Sequence, residues 1–128
     1  MLPLGRSRFP QRHGAVIVDD NTLLMMDAMD IAEEAGLVAY GARNADEAIR
    51  LLEAQPDIRI LFTDVQMSGS MDGYRLAATV RNRWPNVRIL VTSGVRPPAG
   101  DELPEDSLFF FKPYPHQAVM SAMAQATV

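Results

Sequence analysis

The stretch Ile58 to Met67 reads IRILFTDVQM, a short apolar run that stops abruptly at the carboxylate of Asp64. Five of the six residues from Ile58 to Thr63 are apolar or β-branched, a composition that suits a strand buried on both faces better than an amphipathic helix. Such a strand delivers Asp64 to its carboxyl end. In open α/β sheets that edge carries the ligand-binding loops. A solitary aspartate there is most often a cap or turn residue, so its meaning depends on what else converges on it.

Upstream, the aliphatic run Ala15 to Val18 ends in Asp19, Asp20 and Asn21, so a second buried strand also ends in carboxylates. Asn21 can cap a helix from Thr22 to Ala35, whose Leu24, Ala28, Ile31, Ala32 and Ala35 recur at helical spacing, with Gly36 placed for a left-handed stop. Met25, Met26 and Met29 on that helix read as gap-fillers. Leu37 to Tyr40 is a short strand. Asn44 opens NADEAIRLLEAQ with Glu47 three positions on, a near capping box, and Ala48, Leu51, Leu52 and Ala54 form the inner face of a helix that Pro56 ends. The Asp64 strand follows at once, giving a βαβ unit whose crossover is right-handed.

Downstream, Tyr74 to Arg83 reads as a third helix with Leu76, Ala77 and Val80 inward, closed by Trp84 as a packing residue before Pro85. Val87 to Val91 is a fourth strand that leads into Thr92, Ser93 and Gly94. The stretch from Pro97 to Pro104 holds three prolines and a glycine, leaving room for at most one helical turn. Leu108 to Phe111 is a fifth strand ending at Lys112, and His116 to Thr127 closes the chain with a helix that packs Val119, Met120 and Met123, His116 lying at the surface. Strands alternating with helices place the chain in the α/β class, with a mainly parallel sheet covered on both faces.

The 128 residues fit one domain, residues 14–128, preceded by a flexible tail over residues 1–13 that mixes Pro, Gly, Arg and Ser without either period. A net charge of −4, with arginines scattered singly among acids, opposes a nucleic-acid-binding surface. No apolar run approaches the roughly 20 residues of a membrane span, no signal-peptide core stands near the start, and the absence of cysteine permits an intracellular site. The expected location is the cytoplasm, with no membrane partner.

Four of the five strands thus end in polar groups: the Asp19–Asp20 pair, Asp64, a hydroxyl pair and Lys112, the only lysine in the chain. Three convergent carboxylates repel unless a cation sits among them. Magnesium suits such an all-oxygen set because it takes a few carboxylates, waters and a phosphoryl oxygen. A lysine point charge and a Ser or Thr hydroxyl complement the same phosphoryl group.

Asp-Asp after the first strand, T-D-x-x-M at the third, Ser-Gly after the fourth and Lys-Pro after the fifth together resemble the receiver domain of two-component response regulators, over the whole chain from Ala15. The resemblance implies a flavodoxin-like three-layer sandwich with a five-stranded parallel sheet in the order 2-1-3-4-5. It implies that Asp64 accepts a phosphoryl group from a histidine kinase or phosphotransfer protein, and that the domain catalyses its own phosphorylation and dephosphorylation. By matching position, Asp20 and Asp64 ligate Mg2+, Asp19 acts mostly through water, and the backbone carbonyl of Gln66 completes the protein ligands. Ser93 matches the switch hydroxyl in preference to Thr92, Lys112 the phosphate-binding lysine, and Phe109 the aromatic switch. The chain also looks like receivers attached to, or working beside, hybrid histidine kinases.

Two departures stand out. Ser68 occupies the place of a usual proline four residues after the acceptor, in a loop one residue longer than common. The proline-rich segment occupies the place of the family's fourth helix, which is therefore expected to be reduced or absent. The rival readings are weaker: a haloacid-dehalogenase-type phosphatase wants an aspartate where Gln66 stands, and no glycine-rich dinucleotide turn follows the first strand. A degenerate receiver acting as a phosphorylation-independent interaction module is the remaining alternative.

Overall fold

The computed structural model describes residues 12–95 and 97–126; the expected tail over residues 1–13 lies almost wholly outside them. In chain order the elements are β1 (Gly14–Val18), α1 (Thr22–Glu34), β2 (Val38–Ala42), α2 (Ala45–Ala54), β3 (Ile58–Asp64), α3 (Gly73–Arg83), β4 (Arg88–Ser93), β5 (Leu108–Phe111) and α4 (His116–Gln125). All strand pairs are parallel, and the order across the sheet is β2-β1-β3-β4-β5. This is the expected flavodoxin-like arrangement. The apolar side chains of the strands alternate between two cores. Val16, Val18, Leu61, Ile89 and Val91 meet α2 and α3 on one face. On the other, Ala15, Ile17, Ile60, Phe62 and Leu90 meet α1 and α4.

Local chemistry explains the element ends. Asn21 accepts from the N–H groups of Leu23 and Leu24 and caps α1. At its other end Gly36 adopts φ +91°, its N–H bonds the Glu33 carbonyl, and the Leu37 N–H reaches back to the Ala32 carbonyl. These two bonds form a Schellman motif that commits Leu37 to the helix end. The second strand therefore begins at Val38 and runs to Ala42, later than the sequence pattern suggests. At α2 the Asn44 side chain accepts from the Glu47 N–H, while Glu47 Oε1 takes the Arg43 N–H at 2.8 Å, one residue earlier than in a full capping box.

Some inner-face assignments need correction. Ala54 is exposed and Ala45 is buried instead, because at 3.6 residues per turn Ala54 stands about 200° round the helix from Leu52, away from the side that carries Ala45, Ala48 and Leu52. Leu24 is 39% exposed in the first turn of α1. Met25 and Met29 pack against the core as expected, whereas Met26 faces outward. β4 extends two residues further than expected, so Thr92 and Ser93 lie within the strand, paired with Phe110 and Phe111 of β5.

Among the described residues no helix lies between Ser93 and Leu108. The segment is held instead by two turns, in which Glu102 N–H bonds the Ala99 carbonyl and Ser107 N–H the Pro104 carbonyl. Gly100 and Asp106 both take positive φ there, conformations no continuing right-handed helix contains. The expected loss of the fourth helix is thus what the fold contains. α4 of this chain follows β5 directly.

Candidate functional site

The carboxyl edge of the sheet gathers the polar strand ends. Asp19 follows β1 and Asp64 closes β3; each is 6% exposed. Lys112, one residue past β5, extends its Nζ between them, 3.3 Å from Asp19 Oδ2 and 3.3 Å from Asp64 Oδ1. The second Asp19 oxygen accepts the Asn21 N–H at 2.9 Å. Asp20, exposed, places a carboxylate oxygen in the same cluster, and ligand atoms of Asp19, Asp20 and Asp64 all lie within 4.8 Å of one another. Its Oδ2 accepts the backbone N–H of Ser68 at 3.2 Å.

Backbone bonds fix this edge. The Val65 N–H donates to the Thr92 carbonyl, the Lys112 N–H to the Ser93 carbonyl, and the Gly73 N–H to the Val65 carbonyl. Gly73 is demanded by the last contact: a Cβ there would stand 2.2 Å from the Asp64 carbonyl oxygen. Asp64 is thereby clamped between a neighbouring strand and the start of α3, whose cap is Asp72.

The two hydroxyls separate. Thr92 pairs directly with Asp64 in the sheet and so lies buried on the same face, beside it. Ser93, one residue on, turns to the face shared by Phe109 and Phe111. Its hydroxyl donates to Gln66 Oε1 at 3.0 Å and accepts the Val95 N–H at 3.1 Å. Phe109 is half-buried and meets Phe111 edge-to-face, centroids 5.0 Å apart.

Burial pushes the Asp64 carboxyl above its ordinary range; the neighbouring Asp19 charge adds to the rise, and Lys112 opposes it. The Tyr114 phenol, packed edge-on to Phe62, is likewise pushed up, first by burial and then by the charges of Asp19, Asp27 and Asp64. A buried, crowded acid cluster with one ammonium is a site short of positive charge. Its donors are all hard oxygens, with neither sulfur nor imidazole among them, so the set fits Mg2+ rather than a softer ion.

The family model described as the response regulator receiver domain matches residues 15–100, well over half of the chain. The chain belongs to that family. Solved structures of other receivers superpose along nearly its full length. A response regulator receiver protein from Pseudomonas putida gives a TM-score of 0.77 at 23% identity, covering 91% of this chain and 99% of its own. The signal receiver domain of an HD domain-containing protein from Pseudomonas fluorescens Pf-5 gives 0.78 at 20%, over 91% and 95%. A two-component response regulator from Clostridium difficile gives 0.78 at 18%, over 91% and 96%. At these identities the likeness establishes the receiver fold, and no helix of the described residues is long and apolar enough to cross a membrane.

In this receiver the three acids and Lys112 anticipated from sequence meet at one edge, with Ser93 at the same edge and bonded there to the side chain of Gln66. Three participants were not anticipated: the Ser68 N–H on Asp20, the Gln66 side chain on Ser93, and Tyr114 beside the acids. Only Tyr114 left a trace in the sequence, as an aromatic two residues after the lysine.

Proposed function

We propose that this receiver is a phosphoacceptor in two-component signalling, with Asp64 as the nucleophile and a phosphohistidine of a histidine kinase or phosphotransfer protein as the donor. A carboxylate oxygen of Asp64 attacks phosphorus; the P–N bond breaks as the O–P bond forms, and the imidazole departs with the bonding pair, taking up a proton. Bound Mg2+, held by Asp20, Asp64 and the Gln66 carbonyl, with Asp19 acting through water, would neutralise charge on the phosphoryl oxygens. Lys112 holds Asp64 in place before transfer and then turns its charge to a phosphoryl oxygen. Water attacking the acyl phosphate in line releases inorganic phosphate and restores Asp64.

The single observation that carries this reading is the Lys112 ammonium suspended 3.3 Å from both Asp19 and Asp64. Such an arrangement costs desolvation at three charged groups, and a cation arriving among the acids offsets it, which prepares the site for an anionic phosphoryl group. Once phosphorylated, the site recruits the Ser93 hydroxyl away from Gln66, and the space Ser93 leaves admits Phe109, carrying the signal to a protein partner in the cytoplasm. With a phosphorylated histidine protein and Mg2+, intact-protein mass spectrometry is expected to register one added phosphoryl group on the wild type and none on Asp64→Asn. Labelling that survives in Asp64→Asn removes Asp64 from its role.

A further inference from the structure

Asp20 differs from its two neighbours in how it is held. Asp19 is buried with both oxygens engaged, by Asn21 N–H and by Lys112, and Asp64 is buried against Lys112. Asp20 is exposed, so its carboxylate would sample several rotamers were nothing to restrain it. What restrains it comes from 48 positions away: the Ser68 backbone N–H, 3.2 Å from Oδ2. The donor is itself fixed. Two residues on, Ser70 Oγ donates to Asp46 Oδ1 of α2 at 2.9 Å; Met67 and Met71 pack against the core; and the loop closes on the Gly73 bond to Val65. A proline at position 68, the residue this family usually carries there, could make no such bond because it has no N–H.

We propose that Ser68 is a positioning residue for the cation: its N–H occupies one oxygen of Asp20 and fixes the carboxylate so that the other is presented for Mg2+ ligation. The inference rests on the reading of Asp20 as a Mg2+ ligand. An outer partner of this kind orients a metal-binding carboxylate, and losing one typically costs ten-fold or more in metal affinity. The side chain of Ser68 has no part in the bond, so the residue acts through its backbone.

Calorimetric Mg2+ titration of the wild type, Ser68→Ala, Ser68→Pro and Asp20→Asn tests this without reference to phosphorylation. Ser68→Ala keeps the N–H and is expected to bind within two-fold of wild type, whereas Ser68→Pro removes it and is expected to bind about ten-fold more weakly. Wild-type affinity in Ser68→Pro, or an equal loss in Ser68→Ala, overturns the positioning role. Wild-type affinity in Asp20→Asn overturns instead the assignment of Asp20 as a ligand, so the two failures are distinct. Should Ser68→Pro not fold, amide exchange at Ser68 decides: protection present in the wild type and lost in Asp20→Ala, which removes the acceptor, is expected, and equal exchange in both overturns the proposal.

Discussion

At the scale of single residues, the acid cluster sets chemistry against stability, and Asp64 shows it most directly. Its carboxyl lies above the ordinary range chiefly because it is buried, with Asp19 adding to the rise and Lys112 opposing it. An acid whose pKa rises on folding holds more protons folded than unfolded, so stability falls as pH climbs through the two values and the loss persists at neutral pH. Asp64→Asn, which removes that charge, is expected to melt at a higher temperature than wild type at pH 7 in metal-free buffer. The difference should shrink as pH falls below about 4, where an unperturbed aspartate also becomes protonated. A variant that melts at or below the wild-type temperature at pH 7 would mean that the attraction of Lys112 outweighs burial. On the proposed function the repulsion among the three acids is offset when a cation binds them.

At the scale of elements, the segment replacing the family's fourth helix is joined to the rest of the fold by the Arg81 side chain. Arg81, near the end of α3, donates through Nη1 to the carbonyls of Pro85 and Val87 and through Nη2 to that of Glu105. Its guanidinium thus joins the α3–β4 turn to the loop before β5. Arg81→Ala should cost about 1–2 kcal/mol and accelerate amide exchange at Ser107, whose N–H closes a turn on Pro104; unchanged exchange there would mean the loop holds itself. The loss of that helix was legible in its prolines, and the five strands in apolar runs that stop at polar residues. What the letters hid was non-local or carried by the backbone. Leu37 looks like a strand residue, yet the helix end claims it through a Schellman bond. Ala54 is a different case, because the helical period itself sets it about 200° from Leu52, so its exposure is legible in the spacing. The acids, Lys112 and Ser93 of the site could be read because each stands at a strand end. The Ser68 N–H could not, since every residue but proline has one and only the fold says where it points.

At the scale of the whole molecule, the sheet is covered unevenly. Its central strands lie between two apolar layers, but β5 is an edge strand with no described helix over it on the α3 side, the side of Phe109 and Phe111, leaving Phe111 57% exposed, while Leu108 on the opposite face is 40% exposed. Those side chains contribute little to folding, because roughly half of each already meets water and transfer free energy scales with the area removed from it. Leu90, fully buried at the centre of the sheet, is the opposite case. Leu90→Ala is expected to lower unfolding free energy by about 2–5 kcal/mol through lost burial and the cavity left behind. Phe111→Ala should cost only about 1 kcal/mol, mostly its edge-to-face contact with Phe109. Denaturant midpoints compared at constant m-value measure both. A loss at Phe111 as large as that at Leu90 would make this face part of the structural core. The expected small loss would leave β5 free to change its surface with Phe109 without endangering the fold, which is what a domain must do if it reports an event at Asp64 through its edge.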